Sequence, residues 1–179
     1  IFLFFFFFYA GPVEKPGQPL FPAQASGTWD TLACLGDSSQ AYTVYFPAGY
    51  NPNQDIPACV GLDAHGRGTA LIAPLARAAD KLHILLVGSH AIRNNMPHAD
   101  AALQTLIKDI ALRFRIDNQQ VFLYGFSGGA RLAGAVAAGH LRLELPVVDE
   151  TGNHGQVFRP AGYIAAAAAL PPTKLDKQA

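Results

Sequence analysis

The sequence predicts an α/β fold: a mainly parallel sheet with helices on both faces, opened by an antiparallel hairpin. Three observations carry that expectation. Short, almost wholly apolar runs at 58–64 (ACVGLDA), 83–89 (HILLVGS) and 120–125 (QVFLYG) suit strands buried on both faces. Segments with helical spacing follow each of them. The resulting order, strand and helix three times over, is that of parallel strands joined by crossover helices.

Taken in order, TWDTLACL (28–35) reads as a strand, GDSS (36–39) as a turn and AYTVYFP (41–47) as a second, alternating strand. Together they predict a hairpin. AGYNPNQDIP (48–57) is a loop rich in Pro, Asn and Gly. TALIAPLARAADKL (69–82) has helical spacing through Leu71, Leu75 and Ala78, with Pro74 near its first turn. HAIRNNMP (90–97) is a loop. In 99–116, Leu103, Ile107, Ile110 and Phe114 line one face of a helix. GARLAGAVAAGHL (129–141) is the next helix. The stretch 141–160 reads as irregular, and AGYIAAAAALPP (161–172) as a strand running into a Pro-ended loop.

Composition limits the function classes. The 179 residues carry 13 Lys+Arg and 13 Asp+Glu, and half are hydrophobic. That supports one buried core and excludes a wholly disordered chain. No Lys/Arg run points to nucleic acid, and no internal repeat is present. The opening IFLFFFFFYA (1–10) is too short to span a bilayer as a helix, which takes about 20 apolar residues. It has the length of a signal-peptide apolar region, and Tyr9-Ala10-Gly11 provides small residues for cleavage. It lacks a basic leader and an initial Met, so the sequence is expected to start inside a signal peptide. An exported protein is expected, touching a membrane only through this segment if it stays uncleaved. A buried or aggregation-prone strand is the other reading. Residues 11–27 read as a Pro-rich linker and 28–179 as the folded domain. Cys34 and Cys59 read as two buried thiols, with a disulfide as the alternative. Their spacing offers no zinc site, and no cofactor is implied.

Gly125-Phe126-Ser127-Gly128-Gly129 matches G-x-S-x-G between an apolar strand and a small-residue helix. The spacing has a steric cause. A serine on a strained strand-to-helix turn projects its oxygen above the sheet. Side chains two positions either side would collide with the neighbouring strand and helix, so Gly125 and Gly129 are glycine. The N–H of Gly128 then faces a developing oxyanion. The plainer reading is a tight turn that contains a serine. His65-Gly66-Arg67-Gly68 ends an earlier strand, where the loop supplies a second oxyanion N–H. Gly66 and Gly68 let the backbone approach a ligand, and His65 shapes the loop. The Arg67 side chain contacts an acidic or polar substrate group or stays solvated. The glycines do not fit a dinucleotide or phosphate loop.

These stretches, AYTVYFPAGYNPNQDIPACVGLDAHGRG, LLVGS and VFLYGFSGGARLAGAVAAGH, resemble the α/β-hydrolase superfamily. They are most similar to its exported esterase-like branch, which includes polyhydroxybutyrate depolymerases and feruloyl esterases. The resemblance covers about residues 28–142, with a weaker match at 161–171. It rests on a Tyr-x-Val-Tyr-x-Pro strand, a His-Gly loop and the serine turn in that order. It implies Ser127 as nucleophile, and Gly128 and Arg67 as oxyanion donors through their backbone N–H groups. It also implies a small-molecule or polymeric ester as substrate.

The superfamily order is serine, acid, histidine. A competing reading takes Asp149 or Glu150 as the acid and His154 as the base: Ser127, Asp149 and His154 have that order, yet 22 residues barely hold the elbow helix and a turn. The expectation is therefore that the acid and base lie on strands beyond this sequence, that the sheet is incomplete at its C-terminal end, and that activity is low or absent. His90 and His98 flank a loop on the ligand side and line a pocket or stay solvated. The rival to a serine esterase is an inactive hydrolase-like binding or scaffold domain at the cell envelope.

Overall fold

The computed structural model describes residues 27–149 and 152–167. The apolar segment 1–10 and residues 11–26 of the expected linker lie outside them. Eight strands and four α-helices are present among the described residues. Six strands form one sheet in the order β1 (Thr28–Ala33), β2 (Ala41–Phe46), β4 (Leu85–Ser89), β3 (Ile56–Asp63), β5 (Ile116–Phe126) and β8 (Gly162–Ala166). β1 and β2 pair antiparallel as the expected hairpin, and β2 is also antiparallel to β4. β4, β3, β5 and β8 run parallel. β8 is the expected strand after the elbow helix.

Strand residues alternate between two cores because successive side chains leave opposite faces. Val44, Val60, Leu62, Val87 and Leu123 face α3 (Ala99–Arg113) and α4 (Gly128–Ala137). Tyr45, Cys59, Leu86 and Phe122 face the other side, where Ile72 and Ala79 pack from α1 (Gly68–Ile72) and α2 (Ala76–Leu82). Helices therefore cover both faces, as the apolar runs predict. The cysteines are free: Cys34 packs in the first core and Cys59 in the second, so the sheet lies between them.

Three local expectations change. The helix at 69–82 is two helices, joined by a 3-10 turn at Ala73–Leu75 where Pro74 lacks an N–H. The helix at 99–116 ends at Arg113, because Phe114 turns extended and packs edge-on against Phe46, 5.6 Å between ring centroids. The stretch 141–160 is not irregular. It forms a separate hairpin of β6 (Leu143–Asp149) and β7 (Gly152–Phe158). Leu143 and Leu145 are buried, while the intervening Glu144 exchanges two backbone hydrogen bonds with the Gln104 side chain, 2.6 and 2.7 Å. Among the described residues no helix is long and apolar enough to cross a membrane.

Candidate active site

The candidate site residues lie at the carboxyl ends of the parallel strands, where open α/β sheets place ligands. Ser127 lies between the end of β5 and the start of α4 with φ 54° and ψ −113°. A non-glycine residue holds such a conformation only where its surroundings enforce it, at a cost of about 1–3 kcal/mol. The enforcement is visible. The Ser127 N–H donates to the Ala166 carbonyl of β8 at 2.8 Å. A Cβ on Gly125 would overlap the backbone of Ala130, and one on Gly129 would overlap the backbone of Leu62 in β3. The two outer glycines therefore let α4 start tight against β5 and β3, the steric cause read from their spacing. Ser127 Oγ has no hydrogen-bond partner among the described residues.

Asp63 ends β3 and lies beside Phe126 in the sheet register. Its buried carboxylate accepts the N–H of His65 at 2.9 Å, the N–H of Arg67 at 3.1 Å and Arg67 Nε at 3.4 Å. Burial acts to raise its pKa. The two amides and the guanidinium outweigh it and hold the carboxyl below its ordinary value. The Arg67 N–H thus differs from the expectation. It is held by Asp63 and reaches a substrate oxygen only by giving up that bond. Gly66 has φ 72°, and a Cβ there would meet the His90 carbonyl oxygen at 2.6 Å. Gly68 packs backbone to backbone against Gly88 of β4. Both glycines of the HGRG loop therefore answer a close approach. The exposed His65 ring lies 3.9 Å from Asp63, beyond hydrogen-bond range.

The loop after β4 is stitched to this one. His65 and Arg93 form a backbone bridge, and the Asn94 N–H donates to the Ala64 carbonyl at 2.7 Å. His90 is half-buried rather than solvated. Its Nε2 meets Thr43 Oγ1 at 2.7 Å, and its Nδ1–H donates to the Gly66 carbonyl at 3.4 Å. His98 is exposed at the start of α3. The Asn94 carboxamide lies against the elbow, where a Cβ on Gly128 would overlap its Oδ1. Sequence reading missed Asn94 and Asp63. It placed the loop 90–97 on the ligand side but weighed only its histidines, and it read Asp63 as the tail of an apolar run.

Asp149 and His154 fall on β6 and β7, with His154 opposite Val147 in the register. Their side chains lie outside the described residues. Strands do hold this region, contrary to the spacing objection, but they form a hairpin outside the main sheet.

The chain has the α/β-hydrolase fold, shared with solved esterases. The apo form of Thermogutta terrifontis esterase 2 matches with a TM-score of 0.56 at 14% identity, over 86% of this chain and 59% of that one. Its butyrate-bound form matches with 0.53 at 17%, over 72% and 49%. An acetyl xylan esterase from Aspergillus awamori matches with 0.51 at 13%, over 64% and 48%. The chain spans about half the length of these structures. No protein-family model and no curated protein sequence matches it.

Proposed function

We propose that this chain carries the nucleophile and oxyanion half of a carboxylic-ester hydrolase site. The observation that supports it most is the strained backbone of Ser127 at the strand-to-helix turn, enforced by glycine contacts on two sides. Ser127 Oγ attacks the ester carbonyl, the carbonyl oxygen takes the negative charge, and the alcohol leaves with a proton. The Gly128 N–H at the start of α4 receives that oxygen. The Asn94 carboxamide, whose two ends exchange by a half-turn, offers a second N–H beside it. Water then releases the acyl group from Ser127. Within this reading the sequence sits nearest the exported branch named above, through Tyr42, Val44, Tyr45 and Pro47. Export rests on residues 1–10 alone.

The test is release of p-nitrophenol from p-nitrophenyl butyrate. A burst of about one equivalent followed by slow turnover is expected, lost in Ser127→Ala. Equal release by Ser127→Ala contradicts the proposal. The absence of a hydrogen-bonded base at Ser127 among the described residues favours a second reading, an inactive hydrolase-like binding domain. A folded protein that gives neither burst nor turnover supports that one.

A further inference from the structure

A cavity of about 190 Å³ opens between the loop after β4 and the first turn of α4. Gly128, the expected oxyanion donor next to the nucleophile, is part of its wall. Met96 and Leu132 give it an apolar lining, and Asn94 contributes a carboxamide. Its charged lining is of one sign: Arg93 from the loop and Arg131 from the helix. Neither forms an ion pair among the described residues, and Asp100, next to the lining residue Ala99, pairs with neither. The whole chain balances 13 basic against 13 acidic residues, so two arginines lining one small cavity, neither ion-paired among the described residues, are a local arrangement.

The helix fixes the position of Arg131 relative to the serine. Arg131 is one turn beyond Ser127, and its N–H donates to the Ser127 carbonyl at 3.3 Å. Helical side chains lean toward the N-terminus, so Arg131 leans back over the turn that carries Ser127 and Gly128. Guanidinium forks match a carboxylate in shape and charge. One helical pitch is about 5 Å, the span of a three-methylene spacer.

We propose that this cavity selects esters whose acyl chain ends in a carboxylate, with Arg93 and Arg131 holding the carboxylate while Ser127 takes the ester carbonyl. The inference rests on the ester-hydrolase reading and adds the substrate class. Asn94 and Gly128 stay with the oxyanion, Met96 and Leu132 receive the methylenes, and the two guanidiniums exclude no neutral ester but favour the anionic one.

The test compares burst rates for the mono-p-nitrophenyl ester of glutaric acid and for p-nitrophenyl valerate, which has the same acyl length without the charge. The anionic ester is expected to acylate Ser127 about tenfold faster or more, since charge-assisted hydrogen bonds exceed neutral contacts by about that factor. The ratio falls to near one in Arg93→Gln/Arg131→Gln, whose substituted residues are exposed and leave the fold intact. Equal rates in the unmodified protein overturn the inference, as does a preference that survives in the double variant. Neutral esters reacting without preference leave the ester-hydrolase reading standing. If no ester reacts, that reading falls, and binding of unreactive monomethyl glutarate decides the cavity. Saturable thermal stabilisation confined to the unmodified protein supports the anion site, and no stabilisation overturns it.

Discussion

Two Asp–Arg pairs at four-residue spacing do opposite jobs in this molecule. Asp109 and Arg113 lie within α3, with side chains 1% and 6% exposed and Nε 2.7 Å from Oδ2. The same carboxylate accepts the Tyr42 hydroxyl at 2.7 Å and the Leu35 N–H at 2.6 Å, and Arg113 also donates to the Ala33 carbonyl. Burial, then Asp109, keeps the Tyr42 hydroxyl protonated far above its ordinary range. This pair clamps α3 to the β1–β2 hairpin. Asp63 is as deeply placed, but Arg67 is 64% exposed and its Nε is 3.4 Å away. Asp63 spends its lone pairs on two backbone amides and so shapes the mouth of the site. A buried pair makes the loss of one partner costly, because the other charge is left uncompensated inside; a pair at the edge of water contributes little to stability and here sets geometry.

The largest effect expected from breaking this comparison is at Asp109. Asp109→Ala leaves Arg113 and Tyr42 buried without their acceptor and costs about 3–5 kcal/mol in urea unfolding. Asp109→Leu/Arg113→Met removes both charges and recovers much of that loss. An unrecovered double variant would mean that the clamp acts through more than its charges.

Asp63→Asn is expected to cost about 1–2 kcal/mol, since one acceptor remains for the amides. The Ser127 burst rate falls about tenfold or more, because oxyanion geometry tolerates little displacement. Stability loss equal to that of Asp109→Ala would erase the contrast. The pH dependence has a definite sign. The folded pKa of Asp63 lies below its unfolded value of about 3.9, so its contribution is present above that pH. It fades as pH falls through the folded value. Unfolding midpoints of the unmodified protein and Asp63→Asn should therefore draw together only as pH falls below the unfolded value and through the lower folded one.

Strain at the elbow gives the next smaller effect. Ser127→Gly is expected to unfold about 1 kcal/mol later than Ser127→Ala, since glycine holds φ 54° without the cost borne by a Cβ. Equal stabilities would show an unstrained turn. The smallest effect is at the thiols. Burial pushes Cys59 up to about 11; burial and then Asp109 push Cys34 up to about 12. Neither should react with iodoacetamide at pH 8 in the folded protein. Asp109→Asn should speed alkylation of Cys34 and leave Cys59, on the opposite face, unchanged.

The elbow was legible in the sequence because its cause is local. Gly125, Ser127 and Gly129 are spaced by the sterics of one turn between two strongly patterned segments. The parallel sheet was legible for a similar reason, as runs such as VFLY have no polar face. The hairpin at 143–158 was not. Pro146 and the glycines 152 and 155 break its alternation, and its burial comes from Leu143 and Leu145 packing against distant α3. Asn94 and Asp63 were missed because their roles come from loops that meet only in the folded chain. The Arg67 amide was read from motif position, which carries no information about the carboxylate four residues earlier that would hold it.

Intact-mass analysis after incubation with a fluorophosphonate tests the central claim most directly. One adduct per chain is expected, located on the peptide containing Ser127 and absent from Ser127→Ala. A folded protein that forms no adduct, or forms the same adduct in Ser127→Ala, would contradict the assignment of Ser127 as nucleophile.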